Sequence, residues 1–384
     1  MNQIAAIVAK TFSLQFSTTP TLYFSPGRIN LIGEHVDYND GFVLPAAINK
    51  GMYYAIAANY TNDINFYAAD FDEKFSTEIT TVQISTGWRN YVLSVVNEFL
   101  LLNKNIGGFD CVFGGDIPMG SGMSSSAAVE GGLAFALNDI FETGLTRRDL
   151  ALLCQRAEHN FPNVHCGIMD MYANLLGKKG HVILLDCKVV EHEYFPLPLD
   201  GYCIVMVNSK VQHSLASGEY NIRRQRCEAG MKILATTGVQ SFRDEGIAEN
   251  LQACKSQLDT EVYNCCKYVI EEIARTKKAV QLLSDNDLKA FGKLMYATHE
   301  GLSKLYKVSC PELDFLVAFA AATNYVVGSR LMGGGFGGCS INIVPKENAA
   351  SFIEAVSAAY FQQFAIQPEA YILDISNGVE RLQS

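Results

Sequence analysis

The sequence is short of positive charge, and this argues against several classes of function. It contains 30 Lys and Arg residues against 40 Asp and Glu, which gives a formal net charge of −10. A protein that binds nucleic acid or an anionic membrane over a broad surface needs a basic patch to displace counterions from phosphate groups. We therefore expect small-molecule substrates, with neither nucleic acid nor a membrane among the partners.

Long hydrophobic runs are also missing. The apolar runs are too short and too interrupted to span a bilayer, and the N-terminus lacks the basic and long apolar segments of an export signal. The 11 cysteines are odd in number and irregularly spaced, and no C-x-x-C pairs with another to form a zinc site. We expect reduced thiols and a cytoplasmic location.

What the chain does have is length and apolar content. Its 384 residues, 49% apolar and 18% charged, suit two domains that share a cleft better than one core. The stretch Pro196-Leu197-Pro198 is the best candidate boundary. We therefore expect an N-terminal domain over 1–198 and a C-terminal domain over 199–384.

One stretch has the composition of an anion-binding loop. Residues 116–130 run from a turn with Gly120 and Gly122 through three consecutive serines into a helix-forming sequence. The glycines allow close backbone approach, the serines predict a capped helix start, and the N-terminus of such a helix attracts phosphate. The alternative is an ordinary capped helix after a turn. The P-loop lysine is missing, and Ser125 stands where a dinucleotide fingerprint needs its third glycine.

A second glycine-rich run occurs late in the chain. Gly333, Gly335 and Gly338 satisfy G-x-G-x-x-G, but the residues that follow alternate as in a strand instead of forming a helix. This excludes a Rossmann site. We expect the run to join two strands, 325–330 and 339–344, and to allow close approach of a ligand or of the serine-containing loop.

The densest polar cluster of the first hundred residues follows a predicted turn at Ser25-Pro26-Gly27. Residues 28–34 alternate as in a strand with one face inward. The loop after it presents Glu34, His35 and Asp37, which supply the donors and acceptors needed to discriminate sugar hydroxyls.

Periodicity and capping signals predict the other elements. Residues 53–59 and 64–68 are predicted strands, separated by a hairpin-compatible turn at Asn62-Asp63. The single tryptophan, Trp88, opens a helix, and another begins at Thr146, where Asp149 completes a capping pattern. Further elements are a short helix over 1–20, a helix from Gly167, strands over 181–186 and 203–208, and helices over 219–299.

These pieces together favour transfer of a phosphoryl group to a hydroxyl. The anion-binding loop and Mg²⁺ would offset the phosphate charge, with Ser126 and Glu158 as candidate groups on the metal side. Asp170 can orient or deprotonate the acceptor if Arg28 lies beside it, because a neighbouring guanidinium keeps a partly buried carboxylate ionised.

Three motifs in chain order resemble those of one enzyme family. Residues 26–39, Pro-Gly-Arg-Ile-Asn-Leu-Ile-Gly-Glu-His-Val-Asp-Tyr-Asn, resemble the signature of the galactokinases. Residues 120–127 and 328–338 resemble the second and third motifs of the wider GHMP small-molecule kinase family. The first motif is specific to galactokinases and their closest relatives, whereas the other two mark only the superfamily.

The resemblance implies an α+β fold in two lobes with the active site between them, the N-terminal lobe with a mixed sheet and the C-terminal lobe ferredoxin-like. It implies phosphorylation of the anomeric hydroxyl of α-D-galactose by Mg-ATP, giving galactose 1-phosphate and ADP in the Leloir pathway of galactose catabolism. By motif, Asp170 is the base and Arg28 its charge partner. The implied sugar contacts are Glu34, His35, Asp37, Gly167 and Tyr220. The implied ATP contacts are Trp88, Gly120, Ser121, Gly122, Met123, Ser124, Ser125, Ser126 and Ala127, and Ser126 and Glu158 would hold Mg²⁺.

Two positions depart from the family pattern. Gln212 stands where many relatives have a basic residue, so one cation near the transferred phosphate would be missing and Arg28 would matter more. Met171 replaces a glutamine usual after the catalytic aspartate, but it falls on an apolar helix stripe.

Two alternatives to a galactokinase stay open at this point. One is an N-acetylgalactosamine kinase, which only the pocket volume near the second sugar hydroxyl would distinguish. The other is a non-catalytic sugar sensor, which the intact Ser126-Ala127 step disfavours. We expect a monomer.

Overall fold

The structure is a computed structural model that describes residues 2–118, 120–212 and 216–383, without the side chains of residues 212, 216, 217 and 220. Within these residues no helix combines the length and apolar character needed to cross a lipid bilayer. All 11 cysteines are free in the structure, and nine of them are buried.

The helices agree well with the periodicity of the sequence. In chain order they are α1 (Gln3–Gln15), α2 (Trp88–Leu101), α3 (Ser125–Ile140), α4 (Arg147–Asn160), α5 (Met169–Leu176), α6 (Ala216–Leu234), α7 (Ile247–Ala253), α8 (Thr260–Ser284), α9 (Leu288–Lys304), α10 (Pro311–Ala322) and α11 (Ala349–Phe364). The capping box before α4 is present, since Thr146 and Asp149 exchange side chain-to-backbone hydrogen bonds. The predicted starts at Trp88 and after Thr146 are therefore confirmed.

The strands form three sheets. They are β1 (Thr21–Asn30), β2 (Phe42–Val43), β3 (Pro45–Ala58), β4 (Asp63–Ala68), β5 (Glu73–Glu78), β6 (Phe109–Gly115), β7 (His181–Asp186), β8 (Glu191–Pro196), β9 (Tyr202–Gln212), β10 (Gly328–Met332), β11 (Gly337–Pro345), β12 (Glu369–Leu373) and β13 (Glu380–Arg381). The sequence did not indicate β8, because its polar and largely exposed residues show no apolar alternation.

The largest sheet has the strand order β13-β1-β3-β6-β4-β5, with α3 packed on β1 and β3. Strand β6 lies between β3 and β4 and runs parallel to β4, so the predicted hairpin through Asn62-Asp63 is wrong. The cause is a contact between residues distant in sequence, since Phe66 of β4 packs edge-on against Phe109 of β6 with ring centroids 5.4 Å apart.

The predicted turn at Ser25-Pro26-Gly27 is also wrong, because β1 continues through it. The pairing of β1 with β3 shifts register between Pro26 and Arg28, which makes a bulge where proline's missing N–H is tolerated. Glycine is required at position 27 because a Cβ there would lie 2.8 Å from the carbonyl oxygen of Met123. Residues 23–36 are buried on both faces, so the alternation did not separate buried from exposed positions.

The second sheet has the order β10-β11-β9-β12 and is antiparallel, with α9, α10 and α11 packed against it. Residues 333–336, which we call the glycine turn, connect β10 to β11. This confirms that the late glycine run joins two strands. Strands β2, β7 and β8 make the third sheet.

The mixed arrangement of helices and sheets confirms the predicted α+β class. The division at residue 198 stays a prediction. The end of the described chain crosses that division, because β13 pairs with β1 and Ile375 forms a bridge with Ile48.

Candidate functional site

Two segments far apart in the sequence meet at Arg28 and Asp170. Arg28 follows the bulge in β1, and Asp170 lies in the first turn of α5. Arg28 Nε donates to Asp170 Oδ1 at 2.8 Å and Nη2 donates to Oδ2 at 2.9 Å. Burial alone would lower the pKa of Arg28, but the carboxylates of Asp170 and Glu34 raise it above its ordinary value. A permanently charged guanidinium therefore fixes the orientation of the Asp170 carboxylate.

The serines do not cap α3 as predicted. Ser124 precedes the helix in the left-handed conformation, with φ of 58°, and its side chain makes no hydrogen bond to the helix N-terminus. Its hydroxyl donates instead to Asp170 Oδ2, the oxygen that also accepts from Arg28 Nη2. The first N–H groups of an α-helix have no acceptor within the helix, so the start of α3 presents anion-attracting groups beside this carboxylate.

Residues 120–127, which we call the serine loop, lie between β1 and the glycine turn. Arg28 N donates to the carbonyl of Met123 at 3.1 Å, and Arg28 Nη1 donates to the carbonyl of Gly122. A Cβ added to Gly333 would lie 3.6 Å from Gly122, which itself has φ of 73°. The close approach of the two glycine-containing segments is therefore confirmed.

Within the polar cluster that follows β1, Glu34 is the carboxylate with the most hydrogen bonds. It is 2% exposed and accepts from Asn30 Nδ2 at 2.9 Å, Gly333 N at 2.7 Å and Arg330 Nη2 at 3.1 Å. Burial alone would raise its pKa, but Arg330 and Arg28 lower it below the ordinary value. Glu34 is therefore an ionised acceptor whose position depends on both β1 and β10.

His35 has partners for both ring nitrogens. Nδ1 lies 2.8 Å from Tyr38 Oη, and Nε2 lies 3.2 Å from the carbonyl oxygen of Gly334. Because a carbonyl only accepts, Nε2 must carry the proton and Nδ1 accepts from Tyr38. Burial lowers the pKa of His35 to about 4, which agrees with a neutral ring. The imidazole thus ties the loop after β1 to the glycine turn.

Asp37 and Gly167 are in direct contact. A Cβ added to Gly167 would overlap the Asp37 carboxylate, so only glycine fits at position 167. Burial, with smaller contributions from Asp170 and Glu34, raises the pKa of Asp37 to about 7. Asp37 therefore changes protonation near neutral pH in the free protein.

Glu158 and Ser126 form an all-oxygen pair. Glu158 lies on α4, is 6% exposed, and accepts a hydrogen bond from Cys166 Sγ at 3.5 Å. The Ser126 hydroxyl at the start of α3 lies near this carboxylate and favours its ionised form. Burial, together with the nearby Asp170, raises its pKa to about 7. A buried carboxylate that ionises with difficulty, beside a hydroxyl, fits a hard cation such as Mg²⁺. Within the described residues no three His, Cys, Asp or Glu side chains cluster as a metal cage, and Mg²⁺ needs none because it keeps waters and substrate oxygens.

A cleft of about 320 Å³ connects these groups. Its walls are Arg28, Glu34, His35, Asp37, Glu158, Asn163, Val164, Cys166, Gly167, Met169, Asp170, Asn221, Gly333, Gly334 and Gly335. Seven residues singled out from the sequence are thus brought together around one small-molecule-sized space.

The predicted contacts of the serine loop, Ser126 among them, are not walls of this cleft, and three further predicted positions lie elsewhere or outside the described part. Trp88 does not line the cleft, since it packs against Phe75 and Phe113 and donates from Nε1 to Glu73 at 2.9 Å. The side chains of Tyr220 and Gln212 are not among those described, although their backbones lie in α6 and β9.

Sequence reasoning missed Arg330 and Glu272. Arg330 is fully buried in β10, and Glu272 of α8 accepts from the backbone N of Gly33 at 2.8 Å and from Thr298 Oγ1 at 3.0 Å. A signal was present in both cases, because a charged residue within a predicted apolar strand or helix stripe must have a partner. The identity of that partner was not readable from the sequence.

Three protein-family models match this chain. The galactokinase galactose-binding signature matches residues 10–58, which include Arg28, Glu34, His35 and Asp37. The GHMP kinases N terminal domain matches residues 90–178, and the GHMP kinases C terminal domain matches residues 276–362. The cleft therefore draws its walls from all three matched regions and from the segment between the last two.

Relatives of known identity match over almost the full chain. A galactokinase from Clostridium acetobutylicum is 39% identical over 367 residues, covering 94% of this chain and 94% of the relative. A galactokinase from Thermosipho africanus is 36% identical over 360 residues, covering 94% and 99%.

Solved structures with similar folds include a galactokinase and a mevalonate kinase. A crystal structure of Lactococcus lactis galactokinase complexed with galactose has a TM-score of 0.95 at 31% identity and covers 99% of this chain and 100% of that one. The Methanococcus jannaschii mevalonate kinase has a TM-score of 0.66 at 18% identity, covering 94% and 100%, and supports the fold alone.

Proposed function

The chain belongs to the galactokinase family of GHMP kinases, and from that premise we propose that it transfers the γ-phosphoryl group of ATP to the anomeric hydroxyl of α-D-galactose. The products are galactose 1-phosphate and ADP. The observation that carries this proposal is the shared carboxylate of Asp170, which is bonded to Arg28 on the sugar side and to Ser124 of the serine loop. A sugar hydroxyl and a phosphate bound at this point would face each other.

Galactose occupies the cleft between the end of β1 and the start of α5. Glu34 and Asp37 accept hydrogen bonds from sugar hydroxyls, and Gly167 leaves the space that Asp37 fills. Because both ring nitrogens of His35 have protein partners, His35 contributes through its ring surface and through its hold on the glycine turn. Tyr220 is a further sugar contact from α6.

ATP places its phosphates along the serine loop. Backbone N–H groups at the start of α3 and the helix dipole attract them, as they would any anion. The proposed ATP contacts are Gly120, Ser121, Gly122, Met123, Ser124, Ser125, Ser126 and Ala127. Trp88 is a further proposed contact, on the adenine side.

Ser126 and Glu158 would hold Mg²⁺, which when bound supplies charge neutralisation at the phosphates. Ser126 lies near Glu158, and the Glu158 carboxylate is one of the walls of the cleft. Arg28 adds a fixed positive charge, and it carries more of the neutralisation because Gln212 is uncharged at a position that is basic in many relatives.

The transfer itself needs one proton acceptor. Asp170 takes the proton of the anomeric hydroxyl, the sugar oxygen bonds to the γ-phosphorus, and the bond from that phosphorus to the bridging oxygen breaks to release ADP. The two hydrogen bonds from Arg28 hold the Asp170 carboxylate in place at the wall of the cleft. Ser124 holds the same carboxylate oxygen from the phosphate side.

We extend the proposal to the state of the protein in solution. We propose that the active form is a monomer. The free thiols suit a reducing cytoplasm. The two domains proposed for 1–198 and 199–384 then contribute opposite walls.

An ADP-release assay over a panel of acceptors tests the function. The panel is galactose, glucose, N-acetylgalactosamine, arabinose, mevalonate and homoserine. Galactose should give the highest kcat/KM. Preferential turnover of N-acetylgalactosamine, or turnover of any other member but not of galactose, would overturn the proposal.

A further inference from the structure

Arg330 is a fully buried cation in the middle of β10. All three of its nitrogens donate to protein oxygens: Nε to the carbonyl of Leu31 at 2.8 Å, Nη1 to the carbonyl of Leu331 at 2.6 Å, and Nη2 to the carbonyl of Asn30. Nη2 also reaches Glu34 Oε1 at 3.1 Å. A single side chain thus joins the second sheet to the end of β1.

Arg330 is the partner that allows Glu34 to be buried as an anion. Glu34 is 2% exposed and Arg330 is 0% exposed, so neither charge is hydrated and each needs the other. The same carboxylate oxygen accepts from the N–H of Gly333, three residues further along the chain from Arg330. Arg330 and the glycine turn therefore bind one oxygen of Glu34, while Asn30 Nδ2 binds the other.

Only the planar guanidinium of an arginine can make this set of contacts at position 330. Its carbonyl acceptors, Asn30 and Leu31, lie four and three residues before Glu34, so the guanidinium fixes the backbone that carries Glu34 as well as its side chain. A lysine would present the charge as a point and could not reach two backbone carbonyls and the carboxylate with a planar fork.

We propose that Arg330 is a positioning residue for sugar recognition, which holds the Glu34 carboxylate ionised and directed at the cleft without touching substrate. The inference rests on the proposed role of Glu34 as a galactose acceptor. It makes an arginine from the C-terminal part of the chain a determinant of sugar affinity, although Arg330 does not line the cleft.

The test compares Arg330→Met with the unaltered protein in steady-state kinetics. The KM for galactose should rise by about tenfold or more, the effect of losing a hydrogen bond that involves a charged group, while the KM for ATP stays within about twofold. Arg330→Lys should recover part of the galactose affinity because it restores the charge. A parallel rise in both KM values would overturn the proposal.

A double variant distinguishes positioning from general damage. In a Glu34→Gln background the carboxylate is already neutral, so adding Arg330→Met should raise the galactose KM no further. Multiplication of the two effects would show that Arg330 acts independently of Glu34 and would refute the proposal. Arg243→Met is the control for loss of a partly buried arginine pair. Arg243 binds Asp186 through both terminal nitrogens and also the Asp40 carbonyl, but neither Arg243 nor Asp186 lines the cleft, so the galactose KM should stay unchanged.

Two safeguards keep the outcome decisive. If Arg330→Met does not fold, Arg330→Lys takes its place, and it must raise the galactose KM more than the ATP KM or the proposal fails. Galactose turnover by the unaltered protein is measured first. Absence of galactose turnover would refute the proposed function. A variant whose galactose and ATP KM values rise equally would refute only the role of Arg330.

Discussion

Replacing Asp170 by asparagine separates chemistry from binding at the centre of the cleft. The change preserves shape but removes the proton acceptor and the negative charge that faces Arg28 at 2.8 and 2.9 Å. A general base contributes about 10²- to 10⁴-fold to a rate. At 1.36 kcal/mol per decade, the expected loss of kcat corresponds to about 3–5 kcal/mol.

The same substitution also affects stability. The Arg28 side chain is 6% exposed, so losing the negative charge leaves a buried cation with neutral acceptors, the new amide oxygen and the Gly122 carbonyl, and with the fields of Glu34 and Asp37. The cost is on the order of 1–3 kcal/mol in the free energy of unfolding. Activity must therefore be expressed per folded molecule, with the folded fraction measured by thermal or urea denaturation.

Asp186→Asn is the matched control for this second effect. Asp186 binds Arg243 through both carboxylate oxygens at 2.6 and 2.7 Å, with side chains 21% and 19% exposed, and it does not line the cleft. Asp186→Asn should lower the free energy of unfolding, because it removes the charge that Arg243 binds, while kcat stays within about twofold of the unaltered value because neither residue lines the cleft.

The assay is ADP release at saturating galactose and Mg-ATP, with nucleotide binding followed by calorimetry. Asp170→Asn should bind ATP normally and turn over at least about a hundredfold more slowly. A kcat within about tenfold of the unaltered protein would remove Asp170 as the base, and an equal loss in Asp186→Asn would assign the effect to stability instead.

Three further predictions concern the remaining acidic groups and their neighbours. Gly167→Ala should displace the Asp37 carboxylate and raise the galactose KM by about 10- to 100-fold with the ATP KM unchanged; an unaltered galactose KM would exclude Asp37 as a sugar acceptor. The pKa of Asp37 is raised to about 7 from about 4 in an unfolded chain, so the free protein should lose stability as the pH rises between these values. The melting temperature of Asp37→Asn should fall less over that range, and an identical pH dependence would contradict the burial argument. Glu158→Gln should weaken Mg²⁺ binding in the presence of ADP by about tenfold or more by calorimetric titration, and unchanged binding would exclude Glu158 as a ligand.

Capping signals and side-chain alternation in the sequence predicted those helix starts and strands whose bounds depend on neighbouring residues. The Thr146–Asp149 capping box and the bounds of β7 depend on neighbouring residues, and both agree with the structure. The strand after the late glycine run was recognisable from its alternation, which excluded a dinucleotide fold. The polar cluster at residues 28–37 was found because it is the densest group of polar side chains in the first hundred residues and supplies donors and acceptors for a polar ligand.

The errors arose where distant segments decide the backbone. Pro26 and Gly27 are typical turn residues, but here the glycine permits contact with Met123, 96 positions later, inside a strand. Ser124 is a good N-cap residue, yet its hydroxyl binds Asp170 instead. The pairing of Glu34 with Arg330 spans 296 positions. No periodicity or capping signal in the sequence reports contacts of this range.

The pairing of β13 with β1 has a consequence for how the molecule is made. During synthesis, β1 can pair with β3 as soon as residue 58 has emerged, but its other edge has no partner until residues 380–381 follow. An exposed strand edge is a template for pairing with other chains. The strand that carries Arg28 is therefore a point of aggregation risk in nascent chains. A ribosome-stalled fragment ending near residue 370 should associate more readily than one extended through residue 383.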